Sequence, residues 1–445
     1  MTKNLTEGNP FKLILSFAFP LFLGNLFQQA YNMADAAIVG RCLGSFCLAG
    51  VGASSSVQFL VLGFCMGVSA GFTIPVAQRF GADDFSEMRK YVFIAVVFLA
   101  VFSAVAAALC AFFCREILSL LKTPADIFSY AYDYLFVLFL GIPFSLFYNT
   151  LSGFLRAAGD SSTPFFFLLI SIVLNIALDF VFILSLKLGV PGASLATVLS
   201  QGISSVLCLL YIIFRVKILL PQKDDLHWNW KKCGILLSMG IPMGLQFSIT
   251  AIGSMVLQAA NNSLGAVYVS AFTAVTKIKQ LMMSPYDAVG TAVSTFASQN
   301  FGAHKFSRIR RGIVQGLVLS VSYGIFASLV QVFWGRYISL MFIKSAETEI
   351  LDAVAYFTKI AGSLFWFLGF LNIIRPTVQG LGFTRRAIFS GVIEMFARCA
   401  VVFGLVSRLK FTAVCMADPA AWACATVYMI FTLNFCLKKI EGSAE

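Results

Sequence analysis

Four oxygen-bearing side chains stand inside long apolar stretches of this chain: Asp35 in QQAYNMADAAIVG, Asn175 and Asp179 in NIALDF, and Thr197 in GASLAT. A carboxylate in hydrocarbon costs about 3 kcal/mol or more, so a helix that keeps one turns it toward a wet path or a partner. Asn175 and Asp179 are four residues apart and share one helix face. With a rise of about 1.5 Å per residue, all four fall at comparable depth, in the outer half of their stretches. Two carboxyl groups in a poorly solvated pocket raise each other's proton affinity through desolvation and like charge, and such a pair can hold a proton near neutral pH. With the amide and hydroxyl oxygens beside them, they could instead coordinate a hard cation such as Na+. The plainer alternative is that both aspartates brace helices through hydrogen bonds without titrating. H+ and Na+ stay open as the ion, and no other metal or cofactor is expected.

The elements that must position these residues are membrane helices. The 445 residues are 59% hydrophobic and 12% charged, with a mean hydropathy of +0.87. A soluble domain cannot hide that much apolar surface, so the solvent is lipid. About twelve stretches are long enough to span a bilayer. The lead from Met1 to Pro10 is short and polar, and the first apolar run is too long for a cleaved signal. The net charge of +12 sits in short connections rather than in a patch, which speaks against nucleic acid. The Lys/Arg bias places both termini of a multi-pass membrane protein inside, and the low cysteine organisation fits a cell (inner) membrane. The 11 cysteines show no zinc or haem spacing and read as small core residues.

The chain repeats itself. QRFGADDFSEMRK from Gln78 returns as QNFGAHKFSRIRR from Gln299, and Pro20, Leu43–Gly44, Asn149 and Gly159 return as Pro242, Leu264–Gly265, Asn372 and Gly382. Each half carries about six spans, so both copies enter the membrane in the same sense. Two pseudo-symmetric six-helix bundles of this kind are a secondary-transporter architecture. The expected division is residues 1–216, a cytoplasmic linker at 217–232, and residues 233–445. Two lobes in one chain make a monomer sufficient.

The second half lacks the acids of the first: Asp35 maps to Leu257 and Asp179 to Val402. Its charges within spans are mainly basic (Lys277, Lys279, Lys359, Arg375 and Arg398), with Asp287 and Glu394 beside them. Glu394 and Arg398, at i and i+4, read as a structural ion pair. Gly67–Gly71, GVSAG, matches a hydrolase G-x-S-x-G only by letter. The two histidines, His227 and His304, lie in loops, and a small-residue stripe for helix packing is the better reading. No enzyme is expected. Pro20 and Pro242 free a carbonyl within their helices and are hinge candidates. Gln28, Tyr31, Asn32, Asn149, Gln246 and Met255 are the candidate lining of a substrate path for small organic molecules.

Pro20 and Asp35, the paired QRFGA and QNFGA segments, GDSSTP at Gly159–Pro164, Asn175 with Asp179, and GASLAT together resemble the MATE (multidrug and toxic compound extrusion) family, of bacterial type. The resemblance covers nearly the whole chain. It implies a V-shaped pair of six-helix lobes and an antiporter that exports amphipathic or cationic organic compounds in exchange for H+ or Na+. It also implies a first-lobe cation site at Asp35, Asn175, Asp179 and Thr197. Some branches add acidic ligands on spans 7 and 10; here span 7 has no acid and span 10 carries Lys359, which points to the first lobe as the coupling site. A lipid-linked oligosaccharide flippase of the same superfamily is the alternative, kept open by the mid-depth lysines.

Overall fold

The computed structural model describes residues 3–121, 123–341, 343 and 345–442. It divides into two compact units: Met1–Asn4 with Leu23–Gly244 (unit 1), and Leu5–Phe22 with Leu245–Glu445 (unit 2). Two helices, α1 (Pro10–Leu43) and α9 (Trp230–Asn262), each change unit two residues after their proline, Pro20 and Pro242.

Unit 1 also holds α2 (Ser45–Gly81), α3 (Phe85–Phe112), α4 (Cys114–Leu120), α5 (Ala125–Leu140), α6 (Ile142–Ala157), α7 (Ser162–Asp179) and α8 (Val190–Arg215). Unit 2 holds α10 (Ala266–Gly302), α11 (Phe306–Ser339), α12 (Thr348–Ser363), α13 (Phe365–Gly380), α14 (Thr384–Leu409) and α15 (Phe411–Glu441).

Among the described residues, nine helices are long and apolar enough to cross a membrane, and eleven spans result if each of two bent pairs counts as one. The expectation of about twelve differs by α10. That helix has 37 residues, but Thr273, Lys277, Gln280, Asp287 and Thr291 form an exposed polar stripe along it at helical spacing. The bent pairs are α5 with α6 and α12 with α13. Each bends by 49°. Between α5 and α6, Pro143 starts the second segment and supplies no N–H. Between α12 and α13, the Tyr286 hydroxyl donates to the Phe365 carbonyl at 3.0 Å, taking an acceptor at the break itself.

Backbone geometry repeats along with the sequence. Positive φ occurs at Gly44 and Gly265, Asp83 and His304, Gly159 and Gly382, and Gly189 and Lys410. These four pairs give a register for comparing the units residue by residue.

The 217–232 stretch is pinned to unit 1. Leu219 is buried, and the Arg89 guanidinium donates to Asp225 at 2.6 Å. Burial alone would raise the Asp225 carboxyl, but Arg89 and the Gln222 N–H hold it below the usual carboxylate range. A depressed carboxylate stabilises the fold above its unfolded pKa, and the contribution is lost as pH falls through the folded value. Asp225→Asn is therefore expected to lower the thermal midpoint in detergent by about 2–4 °C at neutral pH, with the gap to wild type closing below about pH 4. Thermal unfolding of both proteins across pH checks this; a gap independent of pH would refute it.

Candidate functional site

Unit 1 brings the four predicted oxygen ligands together. Asp35 lies on α1, about 12 Å of helix before Leu43. Asn175 and Asp179 occupy the last turns of α7, and Thr197 lies two turns into α8. After Asp179 the helix widens into π turns over Phe180–Ser185, a local distortion common at functional sites.

The contacts form a short chain. Asn175 Nδ2 donates to Thr197 Oγ1 at 3.2 Å, Tyr31 Oη and Thr197 Oγ1 share a hydrogen bond at 3.2 Å, and Thr197 Oγ1 also donates to the Ala193 carbonyl at 3.2 Å. With the Asn175 amide nitrogen turned to Thr197, its Oδ1 has no donor among the described residues. The Asp35 and Asp179 carboxyl groups lie within hydrogen-bonding reach of each other. Both residues are buried, Asp179 completely. Among the described residues, no N–H or O–H donor reaches Asp35 Oδ1, Asn175 Oδ1, or either Asp179 oxygen.

This is an unusual arrangement, since buried acceptors are nearly always paired and two facing carboxylates cannot both stay ionised without a counter-charge. A shared proton or a small hard cation between the two carboxyl groups would satisfy them.

Sequence reasoning missed Tyr134 of α5, which is buried near both carboxyl groups. Tyr31, a candidate for the substrate path, is joined to Thr197 through its hydroxyl. The other path candidates are spread. Gln28, Asn32 and Asn149 belong to unit 1, with the Asn149 amide turned to its own helix at Ser145. Met255 is half-buried in unit 2, and Gln246 there is buried and accepts from Gln379 at 2.7 Å.

Unit 2 carries charge differently. Arg398 bonds Glu394 at 3.3 Å, as the i, i+4 spacing predicts, and also Asp418 at 2.8 Å. Lys279 completes Asp418 at 2.5 Å and Arg375 completes Glu394 at 2.8 Å. Asp418 was not anticipated; its signal was the repeat, which sets it opposite Thr197. Lys277 and Lys359 are exposed and show no ion pair among the described residues. The G-x-S-x-G serine, Ser69, is buried and shares a 2.7 Å hydrogen bond with Thr150. No group of three or more His, Cys, Asp or Glu side chains suited to a metal occurs among the described residues.

The MatE family pattern matches this chain twice, over residues 20–181 and 242–403. The chain is 31% identical to the "Probable multidrug resistance protein YpnP" of Bacillus subtilis over 92% of its own length and 89% of that protein's. It is 27% identical to the "Probable multidrug resistance protein YoeA" of the same organism, over 99% and 96%. Its fold matches that of a multidrug resistance MATE family transporter of the MOP superfamily in an outward-facing conformation, with TM-score 0.92, 19% identity and 98% coverage of both chains. The chain belongs to the MATE family, of bacterial type. It is a multi-pass membrane transporter, not an enzyme.

Proposed function

We propose that this transporter exports amphipathic, often cationic, organic compounds in exchange for H+ or Na+, and that the ion binds at Asp35, Asn175, Asp179 and Thr197. The observation that carries this reading is the facing pair of buried carboxyl groups, three of whose oxygens, like Asn175 Oδ1, have no donor among the described residues. Ion binding neutralises the pair and removes the like-charge penalty; ion release restores it. A site whose stability depends so strongly on occupancy favours different backbone arrangements when loaded and empty, which is what coupling requires. Pro20 and Pro242 are proposed as the hinges that absorb the change.

The same reading takes α10 as a further span, making twelve in all, in two lobes of residues 1–216 and 233–445 joined by 217–232. Its polar stripe cannot face lipid without cost and is read as the wall of a wet path. The termini are proposed to be cytoplasmic, the location the inner membrane, and the working unit a monomer. The multidrug names of YpnP and YoeA support organic substrates.

The flippase reading needs a free basic cavity for a pyrophosphate. Arg398, Arg375 and Lys279 are each paired with Glu394 or Asp418, which leaves Lys277 and Lys359 to supply the basic charge that this reading needs.

Ethidium efflux from proteoliposomes, with a pH gradient and a Na+ gradient imposed separately, tests the proposal. One gradient is expected to drive efflux and so identify the ion. If neither moves any organic cation, the antiporter reading falls.

A further inference from the structure

The paired positive-φ residues set the two units in register, and the register exposes a substitution pattern. Sixteen residues after Gly159 stands Asn175; sixteen after Gly382 stands Arg398. Eight residues after Gly189 stands Thr197; eight after Lys410 stands Asp418. The Asn175–Thr197 hydrogen bond of unit 1 is thus answered in unit 2 by Arg398 Nε donating to Asp418 Oδ1 at 2.8 Å.

The correspondence extends along the whole ion-pair chain. Glu394 matches Ser171 on the same count from Gly382 and Gly159, Arg375 matches Ser152, and Lys279 matches Gln58, fourteen residues after Gly265 and Gly44. Every charge in the chain Lys279–Asp418–Arg398–Glu394–Arg375 therefore stands where unit 1 has a neutral polar side chain. In the other direction, Asp179 of unit 1 answers to buried Val402 on the count from Gly159 and Gly382, and Asp35 answers to buried Leu257 on the count from Pro20 and Pro242.

The two pockets solve one electrostatic problem in opposite ways. Each holds two buried carboxyl groups. Among the described residues of unit 1, no cationic side chain balances the pair. In unit 2 the Arg398 guanidinium lies between Glu394 and Asp418, all three with 4–5% of the side chain exposed. Its Nη1 has no acceptor among the described residues and lies beside Gly253 of α9, where a side chain would begin only 3.4 Å away. The guanidinium is thus held for its charge, with both N–H groups of Nη1 left over. Arg375, with Asp287 near it, and the Lys279 ammonium close the two ends.

We propose that unit 2 holds a second cation site, the repeat counterpart of the Asp35–Asp179 pocket, whose permanent occupant is the Arg398 guanidinium. A tethered cation cannot leave, so exchangeable ion binding is confined to unit 1. Truncating Arg398 converts the counterpart into a site for a free monovalent cation, with Glu394 and Asp418 as ligands. Calling it the counterpart of an ion site rests on the proposed role of Asp35 and Asp179; the stability measurements on Arg398 do not.

The test is thermal unfolding of the full chain in detergent, with guanidinium, Na+ or choline chloride at equal ionic strength. Arg398→Ala is expected to lower the midpoint and to regain about 2–4 °C in about 10 mM guanidinium, but not in choline. Wild type, and the double variant Arg398→Asn/Asp418→Thr that copies the unit 1 pair, are expected not to respond to guanidinium. An Arg398→Ala protein that ignores guanidinium and Na+ overturns the proposal.

Should Arg398→Ala not fold, Asp35→Asn/Asp179→Asn with unit 2 intact decides. It is expected to show no saturable Na+ response. A residual response that Asp418→Asn removes would mean that unit 2 exchanges ions, and the proposal fails. If transport assays find no ion coupling but guanidinium still rescues Arg398→Ala, the proposed function falls while the tethered cation stands.

Discussion

Asp35→Asn and Asp179→Asn are each expected to abolish ion-driven efflux while leaving a folded protein that still binds ethidium. Asparagine keeps the shape of aspartate but can neither take up a proton in this range nor offer an anionic ligand. The paired carboxyl groups have no cationic side chain among the described residues to compensate them, so either change also removes the like-charge strain that makes occupancy matter. Losing one charged ligand costs on the order of 3 kcal/mol, which lowers cation affinity by about 100-fold. At working ion concentrations that is enough to uncouple the two fluxes. Thr197→Ala, which removes a neutral hydroxyl already shared with Tyr31 and Ala193, is expected to cost about tenfold. Gradient-driven ethidium efflux and equilibrium ethidium binding, measured on the same preparations, separate the two effects. Efflux at wild-type rate in either aspartate variant would end the coupling role. Loss of binding together with efflux would move Asp35 and Asp179 from the ion site to the substrate site.

The acidic pocket was legible because buried carboxylates are rare in membrane helices and their depth can be counted from helical rise. Asp35, Asn175, Asp179 and Thr197 needed no partner to be noticed. Tyr134 was not legible: a tyrosine in an apolar run has many uses, and only the packing of α5 brings it to the carboxyl groups. Arg398 with Glu394 was legible from i, i+4 spacing, whereas their partners Lys279, Asp418 and Arg375 come from three other helices and needed the tertiary arrangement. Asp418 could still have been found, since the repeat maps it onto Thr197. Bends were missed for a related reason. A 49° break at Gly141–Pro143 has a local cause, but the equal break at Leu364 is marked by a tyrosine almost eighty residues away. The exchange of α1 and α9 between units has no signature in hydropathy; only the prolines that precede each change were visible.

The second large effect concerns the glycine stripe that imitates a hydrolase motif. Gly67 and Gly71 of α2 lie directly on Gly244 and Gly240 of α9, all within unit 1. A methyl at Gly71 would fall 2.5 Å from Gly240 Cα, and one at Gly67 would fall 2.7 Å from Gly244 Cα. From the other side, a methyl at Gly240 would meet the Val68 carbonyl at 2.9 Å, and one at Gly244 the Phe64 carbonyl at 2.8 Å. These neighbours are backbone and cannot rotate away, so the helices themselves must separate. Such close approach is how membrane helices gain contact in the absence of a hydrophobic drive. Gly71→Ala and Gly240→Ala are each expected to cost about 1–3 kcal/mol, and Gly71→Leu to prevent recovery of a monodisperse protein. Because both alanines act on one contact, the double variant is expected to cost clearly less than the sum: once the first methyl has parted the helices, the second finds room. Gly52→Ala, where nothing lies within 4 Å, is the control and is expected to gain about 0.5–1 kcal/mol from helix propensity. Thermal midpoints of the four alanine variants in detergent test the set. Strict additivity of Gly71→Ala and Gly240→Ala would mean that the two glycines do not meet, and that the stripe on α2 packs against something other than α9.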